Sequence, residues 1–325
     1  GRKERILIYG DYDVDGTTAV ALAYKFIQQF YSNIDYYIPD RYNEGYGVST
    51  KGVNYAAETG VKLVIVLDCG IKAVDEIAYA KEKGIDFIIC DHHVPDDVLP
   101  DAVAILNAKR EDNTYPYEHL SGCGVGFKFM QAFAISNGIE FHHLIPLLDL
   151  VAVSIASDIV PIMGENRILA YHGLKQLNTN ASVGMKAIID VCGLAEKEIT
   201  VSDIVFKIGP RINASGRIQN GKEAVELLVE KDLATALNKA NQINQYNETR
   251  KDLDKSMTEE ANRIVAGLEG LADRRSIVLF NEDWHKGVIG IVASRLTEIF
   301  YRPAVVLTRT DDLATGSARS VSGFD

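Results

Sequence analysis

The sequence contains few cysteines and no long apolar segment. Its 4 cysteines lie far apart in a chain of 325 residues, and no two of them form a CxxC pair. This spacing gives no sign of a zinc knuckle or of a disulfide framework. No apolar run reaches the length that crosses a membrane, and no segment resembles a signal peptide. We therefore expect no membrane association and a location in the reducing cytoplasm.

Positive charge is also scarce. The chain has 34 Lys and Arg residues against 45 Asp and Glu residues, which gives a net charge of −11. A generally basic surface for nucleic acid is therefore excluded, although a local basic groove is not. The remaining composition, 47% hydrophobic and 24% charged, is typical of a globular protein long enough for two domains.

Three apolar segments predict β-strands in the first part of the chain. They read RILIYGD, VKLVIVLDCG and IDFIICDHH, and helical patterns follow the first two. Unbroken apolar strands separated by helices are typical of a parallel sheet that is covered on both faces. Residues 120–200 have a mostly helical pattern. The predicted fold class is therefore α/β.

The second part of the chain predicts a connecting helix and a smaller domain. Residues 223–268 are highly charged, have helical periodicity and contain no proline, as expected of a rigid connector. The segments RSIVLF, GVIGIVASRLTEIF and PAVVL then indicate a smaller α/β unit. We predict a catalytic domain at 1–222, the connecting helix at 223–268 and a substrate-binding domain at 269–325. Both ends of the chain are abrupt, so we expect cuts within a longer protein and a truncated second domain.

Acidic residues and histidines follow each predicted strand. The first strand is followed by Asp11, Asp13 and Asp15, the second by Asp68, and the third by Asp91, His92 and His93. In open parallel sheets, ligands bind beyond the carboxyl ends of the strands, where the strand order reverses. Alternation along an extended segment would place Asp13 and Asp15 on the same side. A further acid, Asp158, follows an apolar helical run.

Two interpretations of these residues remain open. Acidic residues commonly cap helices, and Asp15 stands where an N-cap is expected. Capping does not account for the whole set, whereas several carboxylates with an imidazole form a ligand set for two divalent cations. Mostly oxygen ligands favour Mn²⁺ or Mg²⁺ over Zn²⁺. Two such ions about 3.5–4 Å apart would clamp a phosphoryl group and activate water.

The sequence contains a second His-His pair, which serves as a comparison. His142 and His143 follow no acidic residue and lie in a mixed helical context. We interpret this pair as surface or packing residues, in contrast to His92 and His93.

Several motifs, in order, resemble those of a known family. DYDVDG, DCG, DHH and ASDIVP are similar to the four motifs of the DHH phosphoesterase superfamily. IPDRYNEGYGVS, FKIGPRINASGRI, HKGVIGIVASRL and GSARS further resemble the RecJ exonuclease branch and its DHHA1 domain. The resemblance covers almost the whole chain. It implies a parallel-sheet DHH domain that a long helix joins to a smaller α/β DHHA1 domain.

The resemblance also implies roles for individual residues. It assigns two ions, Mn²⁺ or Mg²⁺, to a shared set of ligands, namely Asp13, Asp15, Asp68, His92 and Asp158. Asp68, His92 and His93 are the implied catalytic residues, with Asp68 bridging the ions and His93 contacting the scissile phosphate or leaving group. Many members carry a histidine where this chain has Tyr9. We expect Asp11 to replace that histidine in part as a metal ligand.

Arginines recur in segments that predict loops, namely Arg41, Arg211, Arg217 and Arg319. An arginine fork matches phosphate geometry, but a turn with a solvated arginine gives the same short pattern. The resemblance favours substrate binding by Arg41, Arg211, Ser317 and Arg319. We also expect that some of Tyr42, Tyr46 and Tyr115 stack on bases.

The resemblance implies a metal-dependent exonuclease that degrades single-stranded DNA from a 5′ phosphate, in the 5′-to-3′ direction, during DNA repair and recombination. The two domains would form a cleft that selects single strands by its width. We expect a monomer that meets a single-strand-binding protein and a helicase through domains outside this sequence.

Two other functions stay open. One is a phosphodiesterase for nano-oligonucleotides or cyclic dinucleotides, or a pyrophosphatase, although such relatives generally lack the long connector and the GPRINASGRI signature. The other is a non-catalytic DNA-binding scaffold. Lost ligands would favour a scaffold, whereas here every expected ligand position except Tyr9 carries a suitable side chain.

Overall fold

The computed structural model describes residues 3–324, which form two compact units that meet in sequence at the bond between Asn244 and Gln245. The strands of the first unit are β1 (Arg5–Gly10), β2 (Ile34–Tyr37), β3 (Val61–Leu67), β4 (Asp86–Cys90) and β5 (Ala104–Leu106). They pair in parallel in the order β2-β1-β3-β4-β5. The predicted parallel α/β fold is therefore confirmed, with two strands more than the sequence indicated.

The helices of the first unit are α1 (Val14–Ile27), α2 (Thr50–Glu58), α3 (Val74–Glu82), α4 (Gly122–Ser136), α5 (Leu148–Ser157), α6 (Gly164–Asn180), α7 (Val183–Val191), α8 (Val201–Asp203), α9 (Gly209–Ile218) and α10 (Lys222–Leu228). Short 3-10 turns at Phe141–His143 and Ile145–Leu147 precede α5, and a π-helical turn at Ile204–Ile208 joins α8 to α9. Helix α11 (Leu233–Ala266) contains the boundary between the two units.

The sheet of the first unit is buried on both faces because alternate side chains of its strands point to opposite sides. Leu7, Val64 and Ile89 face one side and pack in a cluster with residues of α2 and α3. Helix α1 contacts β1 and β3, and helix α4 contacts β3 and β4. Ile8, between Leu7 and Tyr9 on β1, is also fully buried. This two-sided burial explains why the central strands read as unbroken apolar runs.

The strand order reverses at β1, which lies between β2 and β3. The chain leaves β1 towards β2 on one side and returns to β3 on the other. A crevice therefore opens beyond the carboxyl ends of β1 and β3, the usual ligand site of such sheets.

The second unit contains a smaller sheet. Its strands are β6 (Ile277–Phe280), β7 (Ala304–Thr310) and β8 (Leu313–Arg319), in the order β6-β7-β8. The pair β6–β7 is parallel and the pair β7–β8 is antiparallel. Helix α12 (Ile289–Phe300) packs on this sheet through a core that includes Ile277, Val292, Leu296 and Val306. A 3-10 turn at Leu271–Asp273 precedes β6.

The segment 223–268 is not one helix, because α10 ends at Leu228 and α11 begins at Leu233. Between them, the side chain of Glu230 accepts hydrogen bonds from the backbone N–H groups of Lys231 (2.9 Å) and Asp232 (3.1 Å). Asp232 then caps α11 by accepting from the backbone N–H of Thr235 at 2.8 Å. Such bonds compete with helical backbone bonds and break the helix there. The domain limits derived from the sequence stay a prediction.

None of the helices in the described part of the chain combines the length and the apolar character that crossing a membrane requires.

Candidate metal centre

The acids of DYDVDG lie where β1 passes directly into α1. The side chain of Asp13 is the N-cap of α1 and accepts a hydrogen bond from the backbone N–H of Gly16 at 2.9 Å. Asp15 lies in the first turn of the helix. The predicted alternation along an extended segment is therefore wrong, and the N-cap is Asp13 rather than Asp15. Gly16 permits this abrupt start, since a Cβ there would lie 2.5 Å from the carbonyl oxygen of Asp11.

Asp68 follows β3 in a conformation that side chains rarely adopt. Its φ is +61°, in the left-handed region. Its backbone N–H donates to the carbonyl of Cys90 at 2.9 Å, which ties the turn to the end of β4. Helix α4 begins against this residue, and a Cβ on Gly122 would lie 2.3 Å from Asp68 Oδ1. Strain of this kind persists where the surrounding structure fixes it, often at functional sites.

Asp91 organises the loop that carries the two histidines. Its carboxylate accepts hydrogen bonds from the backbone N–H groups of Ile71 (2.9 Å) and His92 (2.7 Å), and it lies 2.8 Å from Nδ1 of His93. Burial alone would raise the pKa of Asp91, but the bonds from His93 and Ile71 bring it below its ordinary value. The same bond to Asp91 raises the pKa of His93.

Three acids surround Nε2 of His92, at 3.1 Å from Asp68 Oδ1, 3.7 Å from Asp158 Oδ2 and 3.8 Å from Asp15 Oδ2. Asp158 reaches this place as the C-cap of α5. Ligand atoms of Asp68, His92 and His93, and those of Asp15, His92 and Asp158, lie within 4.8 Å of one another. Burial lowers the pKa of His92, which favours the neutral imidazole that binds metals.

Several carboxylate oxygens in this cluster accept no hydrogen bond from the described residues. Both oxygens of Asp11 and Oδ1 of Asp68 are buried without a hydrogen bond of good geometry among the described residues. Burial, followed by the charge of Asp13, raises the pKa of Asp11 to about 8. Burial, followed by the charge of Asp15, raises the pKa of Asp158 to about 7. The pKa values of Asp13 and Asp68 are raised by burial too.

Buried acids clustered in this way are stabilised by a positive counter-charge. The donor set consists of carboxylate oxygens and imidazole nitrogens, which suits Mn²⁺ or Mg²⁺. The residues therefore fit a divalent cation centre at the carboxyl edge of the sheet, where the sequence predicted it.

Comparisons with known proteins agree with this geometry. A model described as the DHH family, N-terminal domain, matches residues 5–155. Residues 5–155 are therefore similar to the N-terminal domain of the DHH family. The single-stranded-DNA-specific exonuclease RecJ of Bacillus subtilis is 41% identical, over 100% of this chain and 40% of that protein. RecJ of Haemophilus influenzae is 37% identical, over 99% of this chain and 58% of that protein. The chain thus spans about half the length of these curated relatives.

Two solved structures match this chain over 99% of its length. A crystal structure of exonuclease RecJ bound to manganese has a TM-score of 0.87 at 29% identity, and 79% of that structure is covered. RecJ from Thermus thermophilus in complex with Mn²⁺ has a TM-score of 0.85 at 27% identity, with 45% covered.

The second His-His pair of the chain lies outside this cluster. His142 and His143 form a 3-10 turn in which neither is buried. Nδ1 of His142 contacts Glu140 at 3.0 Å, and Nδ1 of His143 contacts Gln29 at 2.8 Å. The interpretation of this pair as surface and packing residues is confirmed.

Tyr9 stands where many DHH proteins carry a histidine, and its hydroxyl serves the fold. The hydroxyl donates to the carbonyl of Gly47 at 3.0 Å and accepts from the backbone N–H of Ser49 at 3.2 Å. Burial raises the pKa of Tyr9, so its hydroxyl stays neutral. Asp11, with its two unpartnered oxygens, is the better candidate for a ligand on this side.

Asp15 has partners that the sequence did not indicate. Its Oδ2 accepts from the backbone N–H of Gly122 at 2.6 Å, and its Oδ1 accepts from the backbone N–H of Cys123 at 2.7 Å. Oδ1 also accepts from the hydroxyl of Ser154 at 2.7 Å. These donors lie more than 100 residues further along the chain, and no local pattern could have predicted them.

Arg41 lies in a turn, as predicted, close to the acids. Its guanidinium carbon is 3.9 Å from the centroid of the Tyr12 ring, and its Nε donates to the carbonyl of Gly216 at 2.9 Å. Its positive charge opposes the rise in pKa of Asp11 and Asp13.

The prediction that Arg211 and Arg217 lie in loops is wrong, because both belong to helix α9. The segment GPRINASGRI reads as a loop through its proline and glycines. The proline lies in the first turn of α9, where its missing N–H costs little. A Cβ on Gly216 would lie 2.4 Å from the carbonyl of Tyr12, so the glycine allows close packing. Arg211 bonds to Asn244 (2.8 Å) and to the carbonyl of Lys207 (2.9 Å).

Ser317 and Arg319 lie in strand β8, so the loop prediction for Arg319 is also wrong. The segment is a strand because it pairs with β7, Ser317 opposite Val306 and Arg319 opposite Ala304. Both side chains lie over the first turn of α12. The position a Cβ would take on Gly290 is 3.1 Å from Ser317 Oγ and 3.5 Å from Arg319 Nη2. A hydroxyl, a guanidinium and a helix N-terminus together favour an anion.

Of the three tyrosines proposed for base stacking, Tyr46 lies beside the histidine loop. Its hydroxyl is 3.2 Å from Nε2 of His93. The hydroxyls of the other two bond elsewhere in the unit, Tyr42 to the carbonyl of Arg217 and Tyr115 to Glu165. Base stacking stays a prediction for all three.

Proposed function

We propose that this chain is the core of a metal-dependent exonuclease that degrades single-stranded DNA from the 5′ end. The observation that carries this proposal is the cluster of buried acids around His92, together with the two buried oxygens of Asp11 that have no hydrogen-bond partner among the described residues. The names of the relatives, single-stranded-DNA-specific exonucleases, support the substrate. The manganese in the similar structures supports the cofactor.

In this proposal the residues that hold two ions, Mn²⁺ or Mg²⁺, are Asp11, Asp13, Asp15, Asp68, His92 and Asp158. When bound, such ions polarise the phosphoryl group and lower the pKa of a bound water. Asp68 is suited to a shared position, because its turn is held by Cys90 and its Oδ1 is buried beside His92.

His93 is the residue best placed to contact the scissile phosphate. Its side chain is 44% exposed, whereas that of His92 is 9% exposed. Its bond to Asp91 raises its pKa and so favours the imidazolium form. In that form Nε2, which lies next to the Tyr46 hydroxyl, can donate a hydrogen bond to a phosphate oxygen or protonate a leaving oxygen.

Ser317 and Arg319 of the second unit are proposed to bind the terminal 5′ phosphate, and Arg41 of the first unit is proposed to bind a phosphate of the substrate. An exonuclease must hold a chain end, and a terminal phosphate carries more charge than an internal one. Arginine can bind such a group through two parallel hydrogen bonds. Arg211 already bonds to Asn244 and to the carbonyl of Lys207. We therefore propose that it stabilises helix α9 and does not contact the substrate directly.

Several expectations drawn from the sequence stay predictions. They are a role in DNA repair and recombination, a cytoplasmic location, a monomeric state, and partners such as a single-strand-binding protein and a helicase.

The proposal is tested with Mn²⁺ and single strands labelled at either end. A 5′-to-3′ exonuclease releases a 5′ label at once as a mononucleotide, whereas a 3′-labelled strand shortens stepwise. A 5′ phosphate should speed degradation relative to a 5′ hydroxyl, and blunt duplexes should resist. His92→Ala should abolish hydrolysis, and His142→Ala, which alters the other His-His pair, should not.

Other products would contradict the proposal. Hydrolysis of only the shortest oligonucleotides or of cyclic dinucleotides would indicate a phosphodiesterase of the same family instead. DNA binding without hydrolysis in Mn²⁺ would indicate a scaffold.

A further inference from the structure

The carboxylate of Asp15 is held by two helices besides its own. The first turn of α4 supplies the N–H groups of Gly122 and Cys123, and α5 supplies the hydroxyl of Ser154. Asp15 is 2% exposed and Ser154 is fully buried. No water can therefore replace these donors without a rearrangement of the helices.

The donors are divided unequally between the two oxygens. Oδ1 accepts two hydrogen bonds, from Cys123 and Ser154, at 2.7 Å each. Oδ2 accepts one, from Gly122, and lies 3.8 Å from Nε2 of His92. Because a carboxylate oxygen offers about two acceptor positions, Oδ1 is filled and Oδ2 keeps one position.

We propose that Ser154 is a positioning residue of the metal centre, which fixes Asp15 so that Oδ2 alone binds the metal. This inference rests on the proposed function only in requiring that the acid cluster binds a divalent cation. It adds Ser154 to the centre without making it a ligand.

The hydroxyl of Ser154 is itself oriented by a chain of hydrogen bonds. Its oxygen lies 2.6 Å from Oγ of Ser121, the N-cap of α4. A carboxylate only accepts, so the single proton of Ser154 goes to Asp15, and Ser121 must donate to Ser154. Ser121 in turn accepts from the backbone N–H of Gly124 at 3.1 Å. Such chains strengthen each bond in them.

The simpler alternative is that Ser154 only holds helices α1, α4 and α5 together in the core through its hydrogen bonds. The two roles differ in what they predict for metal binding. A packing role changes the stability of the metal-free protein, whereas a positioning role changes the Mn²⁺ concentration at which the protein is stabilised.

The experiment compares four proteins, the wild type, Ser154→Ala, Ser121→Ala and Ser157→Ala. Ser157 is the matched control, because it lies one turn further along α5 and its buried hydroxyl has no hydrogen-bond partner among the described residues. The melting temperature is followed during Mn²⁺ titration without DNA, and Mn²⁺ binding is checked by electron paramagnetic resonance. Loss of a bond to a ligand typically weakens metal binding at least tenfold.

We therefore expect Ser154→Ala to need about tenfold more Mn²⁺ than the wild type. Ser121→Ala should show a smaller change, since it leaves the bond from Ser154 to Asp15 in place, and Ser157→Ala should titrate like the wild type. Ser154→Thr, which keeps the hydroxyl, should recover part of the loss.

Equal Mn²⁺ midpoints for Ser154→Ala and Ser157→Ala would overturn the inference, as would a wild type that binds no Mn²⁺. Should Ser154→Ala fail to fold, Ser154→Cys, which keeps a side chain of similar shape but is only a weak donor, takes its place. A Mn²⁺ midpoint for Ser154→Cys equal to that of Ser157→Ala would then overturn the inference. A wild type that binds Mn²⁺ but lacks nuclease activity would refute the proposed function alone.

Discussion

Three carboxylates at alternate positions in DYDVDG repel one another, which costs free energy. Burial of Asp11 increases this cost. The side chain is 1% exposed, and both its oxygens lack hydrogen bonds among the described residues. Without a cation, such a group lowers its cost by taking up a proton. This is the physical reason that its pKa rises to about 8, with burial as the larger cause and Asp13 as the second.

The pH dependence of stability tests the state of Asp11. Its pKa in the folded protein is about 8, whereas an unfolded aspartate has a pKa of about 4. Between these values the folded state holds more protons than the unfolded state, so the free energy of unfolding falls as pH rises. We expect the metal-free protein to melt at a lower temperature at pH 8 than at pH 5.5.

Asp11→Asn should flatten this decrease, because the amide does not titrate. Mn²⁺ should restore the melting temperature at pH 8, since it replaces the proton as the counter-charge. Calorimetry in EDTA over this pH range measures both effects. The same pH slope in Asp11→Asn and the wild type would show that Asp11 is ionised in the folded protein throughout the range.

At the scale of elements, the central part of the fold could be predicted from sequence and its edges could not. Strands β1, β3 and β4 are unbroken apolar runs, because helices cover both faces of the sheet. Strands β2 and β5, with 4 and 3 residues, are half-buried edge strands. They are too short to show a periodicity. Strand β8 was missed because GSAR contains turn-forming residues, and only its pairing with β7 makes it extended.

The candidate site could likewise be predicted from the sequence only in part. Asp11, Asp68 and His92 could be found because they directly follow apolar strands. The contacts that hold them could not, because α4 and α5 reach Asp15 only through tertiary packing.

The start of helix α4 offers a test at this scale. In Gly122→Ala the new Cβ would lie 2.3 Å from Oδ1 of Asp68 and 2.5 Å from its Cβ, so Asp68 must move. Alanine is favoured over glycine inside a helix by about 1 kcal/mol, which offsets part of the strain. We expect a folded protein that has lost most of its stabilisation by Mn²⁺ and about a hundredfold of its hydrolysis, which is the upper end of the cost of disturbing a residue that supports a metal ligand.

Gly126→Ala is the matched control, one turn along α4. Its Cβ would meet only Cδ2 of Leu67, at 3.0 Å, which is the end of a flexible side chain. Circular dichroism and Mn²⁺ titration of the melting temperature compare the two variants. If Gly122→Ala keeps the wild-type response to Mn²⁺, then Asp68 is not a ligand.

At the scale of the whole molecule, the features that suggest function are divided between the two units. All the acids of the metal centre, and Arg41, belong to the unit that ends at Asn244, whereas Ser317 and Arg319 belong to the other. The chain also carries a net charge of −11. Attraction of a polyanion therefore depends on a few local cations and bound metal rather than on the protein as a whole.

This division predicts where Mn²⁺ stabilises the molecule. A ligand that binds only the folded state stabilises it by about 2.7 kcal/mol at a concentration 100 times its Kd. Some amide hydrogens exchange only when a local opening of the structure releases the metal. At this Mn²⁺ concentration, these amides should exchange about a hundredfold more slowly than in the metal-free protein. We expect this slowing after β1 and β3, in the histidine loop, in the first turn of α4 and at the end of α5. Hydrogen exchange with mass spectrometry, with and without Mn²⁺, measures this slowing peptide by peptide.

His92→Ala is the control that should abolish the slowing, and strands β6 to β8 should exchange at unchanged rates. Equal slowing in those strands would mean that Mn²⁺ also binds the second unit or stabilises the whole chain as one cooperative body, and the metal centre could then not be assigned to the first unit alone.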